Sequence, residues 1–227
     1  MLSSFIEKLQ TGPAFDAVFN PWRDVDTVHE LGPEGPVIRA EQLQHYFEHR
    51  LQSARYLLIA EALGYQGGHF SGIAMTSERI VLGHQIDRGI NPHDVLPTLT
   101  GRRTSKPSCN ANGFSEPTAS IVWQAAIDKL QIAPMDFVLW NVFPWHPYQQ
   151  QKGMLSNRTP TPAELAAATP YLLAFLELFP DREIIAVGRK SEGLLADVGV
   201  KATAVRHPAN GGATKFRDEF AAIIQGK

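Results

Sequence analysis

Four short runs of residues, each followed by a helix-patterned stretch, constrain this chain more than anything else in it. RYLLIAEAL (55–63), DFVLWNVFP (136–144) and REIIAVGR (182–189) are nearly continuous in apolar residues and too short for a helix of ordinary length. Each reads as a strand buried on both faces. KATAVRHP (201–208) reads as a fourth, shorter strand. Helical patterns fill the spaces between them. Strand–helix alternation of this kind demands crossover connections, and crossovers build parallel sheets covered by helices on both faces. The expected fold is therefore α/β: three layers, α/β/α, around a central four-stranded, mainly parallel sheet.

The helical stretches have their own signals. AEQLQHYFEHRLQS (40–53) places Leu43, Tyr46, Phe47 and Leu51 at helical spacing. Residues 72–83 are expected to begin a helix. PTASIVWQAAIDKLQI (117–132) opens on a proline, which suits the first helical turn, and its inward residues are predicted to be Ile121, Ala125 and Leu130. The long stretch 160–180 has Thr161 as a candidate cap and a proline, Pro170, in its interior. KSEGLLADVG (190–199) closes on glycine, and 215–227 forms a terminal helix with Phe216, Phe220, Ile223 and Ile224 inward. Residues 1–50 read as a helical and irregular N-terminal extension, and 84–115 as an irregular polar insertion. With 227 residues the chain suits a single domain over 1–227.

Composition narrows the function classes. Lys and Arg total 21 against 23 Asp and Glu, a net charge of −2, so a strongly basic nucleic-acid coat is absent. Total charge leaves room for a basic patch over one cleft. Cys109 is the one cysteine. It forms no intrachain disulfide and supplies no four-thiolate metal site, which points to a reducing, cytoplasmic setting. No run of eighteen apolar residues suggests a membrane span.

In open α/β sheets, ligands bind beyond the carboxyl ends of the strands. That rule yields a short set of candidates. The first strand delivers Glu61 and the loop GYQGGHFSG (64–72), with Tyr65, His69 and Phe70. The second delivers Asn141, then Trp145 and His146; the third Gly188 and Arg189; the fourth Arg206, His207, Pro208 and Asn210. The glycine loop matches neither G-x-G-x-x-G nor G-x-x-x-x-G-K-[ST], so it is no nucleotide-phosphate fingerprint. HExxH and the G-x-S-x-G elbow are also missing. His207, His146 and Glu61 are permitted as zinc ligands by the intervening segments but not indicated, and no metal or cofactor is expected.

Four segments in order resemble a family. IAEALGYQGGHFSG (59–72), LWNVFP (139–144), AVGRKSEGLL (186–195) and VRHPANGG (205–212) are similar to the strand-end motifs of the uracil-DNA glycosylase superfamily. The resemblance spans residues 55–220 and is nearest to the branch that normally carries an iron–sulfur cluster. The cluster cysteines are missing, Leu63 stands where that branch has Pro, and Ala209 stands where Ser or Thr follows His-Pro.

The resemblance implies a monofunctional glycosylase that flips uracil out of DNA, hydrolyses its N-glycosidic bond and leaves an abasic site. Glu61 and His207 become the catalytic candidates. Asn141, Phe70, Tyr65 and His69 become base-recognition candidates. Arg206, Asn210, Gly211, Gly212 and Lys215, with Arg102, Arg103 and Lys106, become phosphate contacts. The implied partner is DNA carrying uracil or a related deaminated base, with abasic-site DNA as product and the protein acting as a monomer. A binder of lesions or abasic sites on the same scaffold, without turnover, is the alternative. An unrelated small-molecule α/β hydrolase is a third class.

Overall fold

The computed structural model describes residues 1–226. Four strands, β1 (Tyr56–Ala62), β2 (Phe137–Phe143), β3 (Glu183–Val187) and β4 (Thr203–Val205), form one parallel sheet in the order β2-β1-β3-β4. The register aligns Tyr56 with both Phe137 and Glu183, Ala60 with Asn141, and Ala186 with Ala204. All four predicted strands are present, trimmed by one to three residues at each end. Every residue of β2 is buried although it is an edge strand, because α-helices and loops cover its outer side.

Six main helices surround the sheet: α1 (Leu2–Gln10), α2 (Gly35–Glu48), α3 (Pro117–Gln124), α4 (Pro162–Leu178), α5 (Arg189–Asp197) and α6 (Ala213–Gln225). One face is aromatic. Trp140 of β2 stacks on Phe175 of α4, with ring centroids 4.9 Å apart, and meets Phe5, Trp22 and Phe47. On the other face Phe137 packs against Trp123 of α3. The N-terminal segment is thus part of the packing, with α1 against α2 and α4.

Local chemistry explains the helix boundaries. Thr161 caps α4, accepting from the Glu164 N–H while the Glu164 carboxylate accepts from the Thr161 N–H; Pro162 fills the first turn. The helix runs through Pro170, as predicted for 160–180. α2 starts earlier than the spacing suggested, since Pro36 sits in its first turn. The helix expected over 72–83 is instead a four-residue turn, Gly68–Ser71, and a second short helix, Glu78–Val81. Gly72 separates them at φ +78, where an added Cβ would lie 2.7 Å from the Arg39 carbonyl oxygen.

α3 also differs. It loosens into a π-turn at Ala125–Lys129, and its buried residues are Ala119, Ser120, Val122, Trp123, Ala125 and Ala126. Ala125 is inward as predicted, whereas Ile121 and Leu130 are only half-buried. In α6, Phe216 and Phe220 are buried; Lys227 of the predicted terminal helix lies outside the described residues.

The irregular 84–115 insertion is pinned from inside. The buried Glu78 carboxylate accepts from the backbone N–H groups of Thr104 (2.7 Å) and Ser105 (2.9 Å) and from the Ser105 hydroxyl. A carboxylate satisfied by several donors anchors a loop about as firmly as a strand would.

Candidate active site at the strand ends

The carboxyl ends of β1, β3 and β4 open into a cleft of about 1540 Å³. Ala60, Glu61 and Ala62 of β1 and Val187, Ala204 and Val205 contribute to its floor. The loop 63–66, the start of α3, Asn157, the start of α5 and the segment 206–215 form its walls. Ordinary small-molecule pockets are about 300–1,000 Å³, so this opening suits part of a polymer better than an isolated metabolite.

Glu61 reaches the cleft from the end of β1. Its carboxylate is 26% exposed and pairs with Lys190 Nζ at 3.3 Å. Lys190 also donates to the Thr159 hydroxyl at 2.7 Å. Lys190 stands at the start of α5, so its charge and the helix N-terminus both favour an anion here.

His207 follows β4 on the same cleft. Gly188 makes room for it: that residue has φ +98, and an added Cβ would stand 3.1 Å from the His207 Cβ. Nδ1 of His207 accepts from the Ala209 N–H at 3.1 Å. The proton of the neutral ring is therefore on Nε2, which has no hydrogen-bond partner among the described residues. Burial pushes the His207 pKa below its ordinary value; Arg206 adds to this, and Glu61 opposes it. His207 is thus a neutral donor with a fixed tautomer.

The turn after His207 is tightly built. Asn210 and Gly211 are consecutive left-handed residues (φ +54 and +76). Gly212 precedes α6, and any side chain there would collide with the His207 carbonyl oxygen. Arg206, Asn210, Gly211 and Lys215 line the cleft, whereas Gly212 is buried beneath the turn. Glu219 lies in their midst: it accepts from the Arg206 N–H at 2.5 Å and sits 3.7 Å from Lys215 Nζ. The basic character expected of this corner is therefore partly offset.

Several sequence candidates lie elsewhere. Phe70 is fully buried and stacked on Phe114, centroids 4.2 Å apart and planes within 7°. His69 is fully buried, stacked on Phe19 at 4.0 Å, with Nδ1 2.9 Å from His146 Nδ1 and Nε2 3.2 Å from the Asp26 carboxylate. His146 in turn donates from Nε2 to the Ser156 carbonyl at 2.8 Å. These contacts hold His69 and His146 apart from the cleft; a shared site of His146 with Glu61 and His207 does not form. The cause is a two-residue antiparallel ladder, Val18–Phe19 with His146–Pro147, that clamps the N-terminal segment over the glycine loop.

Tyr65 hydrogen-bonds through its N–H to Asn157 Oδ1, and its ring lies toward His146 rather than in the cleft lining. Asn141 is 1% exposed and does not line the cleft, but its register partner Ala60 does. Its Oδ1 is buried with no hydrogen-bond partner among the described residues. Arg102 pairs with Glu41, Arg103 donates to the Asn110 and Ala111 carbonyls, and Lys106 donates to the Thr27 and Val28 carbonyls. These three cations tie the insertion down and do not line the cleft.

The cleft also holds residues that the strand-end rule did not select. Glu116, Asn157, Arg158, Lys190 and Glu192 line it, beside the selected Arg189. Arg158 is fixed by two hydrogen bonds to Glu164 (2.8 and 2.7 Å). Both cations and carboxylates thus line the cleft.

The fold and site define an α/β protein with a catalytic-type cleft at the ends of a parallel sheet, carrying a carboxylate and a tautomer-fixed imidazole. The family model of the uracil DNA glycosylase superfamily matches residues 45–225, and the chain belongs to that family. A solved structure, wild-type SMUG2 of Pedobacter heparinus, is similar with a TM-score of 0.62 and 12% identity, covering 99% of this chain and 97% of that one. No curated protein matches the chain. Family membership supports a DNA glycosylase, a hydrolase of N-glycosidic bonds in base-excision repair. An iron–sulfur cluster does not fit the residues present: Cys109 is the single thiol and is exposed on the insertion.

Proposed function

We propose that the chain is a monofunctional DNA glycosylase that extrudes uracil, or a related deaminated base, from DNA and hydrolyses its N-glycosidic bond. In this reading it acts in the cytoplasm as a monomer and releases abasic-site DNA. One observation carries the reading. Glu61 and His207, from the ends of β1 and β4, share one strand-end cleft, and His207 offers its only free nitrogen there as a donor.

In the hydrolysis, the C1′–N1 bond breaks with its electrons moving to the base, and a water oxygen bonds to C1′. The sugar passes through an oxocarbenium-like state and the base departs as an anion. The Glu61 carboxylate opposes the positive charge on the sugar and accepts a hydrogen bond from the attacking water, whose lost proton passes through it to solvent while the base anion takes up a proton from solvent on release. The Nε2–H of His207 donates to a base carbonyl oxygen as negative charge grows on it, the kind of stabilisation that preorganised donors supply. A donor already neutral at the working pH needs no proton rearrangement.

Base extrusion needs grips on the flanking phosphates. The left-handed turn at Asn210–Gly211, Arg206, Lys215 and the N-terminus of α6 serve that role in this reading. Asn141 serves as the base-reading amide: its Oδ1 is unpartnered, one strand from the cleft floor.

The test is release of free base from single- and double-stranded oligonucleotides carrying uracil, hypoxanthine or xanthine. Release of at least one of them, lost in Glu61→Gln and in His207→Ala, supports the proposal. Tight binding to lesion or abasic DNA with no base released would replace it with the lesion-binder alternative. No binding and no release would point to small-molecule chemistry.

A further inference from the structure

The cleft holds a second carboxyl group in surroundings unlike those of Glu61. Glu116 directly precedes α3 and reaches over the glycine loop. Side chains at Gly67 or Gly64 would obstruct it: a Cβ on Gly67 would collide with Glu116 Oε2, and one on Gly64 would stand 3.4 Å from Oε1 and 3.9 Å from the Asn157 amide nitrogen. The glycines form a cradle for this carboxyl, with Asn157 beside it. Oε2 is sealed against the Gly67 backbone, buried and with no hydrogen-bond partner among the described residues. Ionisation would place charge on an oxygen that neither water nor a donor can reach.

We propose, on the basis of the glycosylase reading above, that Glu116 is a specificity-determining residue: its carboxyl meets the extruded base un-ionised, with Oε2 as the sealed carbonyl oxygen and the hydroxyl on Oε1 donating to the exocyclic oxygen of an oxo base. Oε1 is the oxygen on the Gly64 and Asn157 side. A neutral carboxyl offers one donor there, whereas a carboxylate offers acceptors only. The neutral form therefore favours the oxygen that deamination leaves on a base over the amino group that it removes. Burial alone raises the Glu116 pKa, to about 7. Glu61 and Glu116 then divide the work: Glu61, paired with Lys190, faces the sugar, and Glu116 in its protonated form faces the base.

The charged and titratable groups sharing the cleft with Glu116 are Glu61 on β1, Arg158 after the second strand, Arg189, Lys190 and Glu192 at the start of α5, Arg206 and His207 after β4, and Lys215 and Glu219 on α6. None hydrogen-bonds to Glu116 among the described residues. Burial pushes the His207 pKa below its ordinary value, away from the alkaline limb on which Glu116 is tested.

The test compares wild type, Glu116→Gln and Glu116→Ala in single-turnover uracil release between pH 6 and 8.5, with matched thermal unfolding to show that each variant is folded. In wild type the rate should fall above pH 7, approaching about tenfold per unit as the donor ionises. Glu116→Gln keeps a permanent N–H donor and should lose that alkaline limb. Glu116→Ala should be about 100-fold slower than wild type at pH 6 and lack the alkaline limb, so that the gap narrows as wild type loses its donor. A folded Glu116→Gln with the wild-type pH profile would overturn the inference and leave the glycosylase reading intact. If wild type releases no base at all, the glycosylase reading itself fails. A ¹³C titration of the Glu116 carboxyl, assigned by its loss in Glu116→Gln, gives a readout independent of activity. A midpoint near 7 is expected; one in the ordinary carboxylate range, near 4 to 4.5, would overturn the inference whatever the activity.

Discussion

His207 and the His69–His146 pair occupy two regions of one molecule and differ in what their ring nitrogens meet. In the cleft, one nitrogen of His207 is fixed by the Ala209 N–H and the other is left free. Beneath the glycine loop, His69 lies between Asp26 and His146, and His146 lies between His69 and the Ser156 carbonyl. The carboxyls follow the same division. Asp26 faces His29 and His69 and accepts from two backbone N–H groups, whereas Glu116 leaves its sealed oxygen unpartnered. Residue type and position after a strand do not separate a reactive group from a structural one. The distinction lies in where the unused nitrogen sits: Nε2 of His69, also without a hydrogen-bond partner among the described residues, is sealed in the core beside Asp26, whereas His207 lines the cleft.

Breaking the structural region should have the largest effect on stability. Asp26→Ala removes a carboxylate that two imidazoles and two N–H groups share, and should cost about 3 kcal/mol in urea denaturation. Base release by the fraction that remains folded should change little. Glu61→Gln should do the reverse, slowing single-turnover release by about 100-fold while leaving the denaturation midpoint near that of wild type.

Acidification sharpens the comparison further. Burial holds His69 at about 4 and His146 at about 3, below the ~6.5 of a free imidazole. Between pH 6.5 and 4 the unfolded chain takes up protons that the folded chain refuses, so stability falls as the pH falls. Each imidazole contributes up to about 1.4 kcal/mol per unit in that window. Glu116 and Glu30 work in the opposite direction between about 4.5 and 7, because burial raises the folded pKa of each to about 7. The two carboxyls largely offset the two imidazoles in wild type, so urea midpoints between pH 7 and 5 should decline more in Glu116→Gln than in wild type. The smallest effect belongs to Lys190→Ala. The lysine end of its pair with Glu61 is exposed, so stability should change by less than about 0.5 kcal/mol, and release by a few-fold at most.

Much of this was legible in the sequence. The four strands announced themselves by apolar runs, and the strand-end rule led directly to Glu61 and His207. It failed at His69 and Phe70 because a loop written in glycines looks exposed. The residues that bury it, Asp26, Phe19 and Phe114, are remote in sequence, and no periodicity links them to it. Asn141 was found by the same rule, yet the sequence could not show that its amide lies beside the cleft floor rather than in it. Glu116 and Asn157 were missed for the same physical reason: their place in the cleft depends on the path of two irregular segments. One signal was available for Glu116, a carboxylate immediately before a proline-initiated helix. On α3 Ala125 was placed correctly, but Val122 and Trp123 take the core face in place of Ile121, and the π-turn shifts the register before Leu130, which a regular helical period does not anticipate.

The most direct test of the division between the two regions measures His207→Ala and His69→Phe side by side, each for single-turnover base release and for thermal unfolding. His207→Ala should lose release by about 100-fold or more and unfold close to wild type, while His69→Phe should unfold several degrees earlier yet release base at nearly the wild-type rate when folded. Full release by His207→Ala, or selective loss of chemistry in a stably folded His69→Phe, would contradict the account.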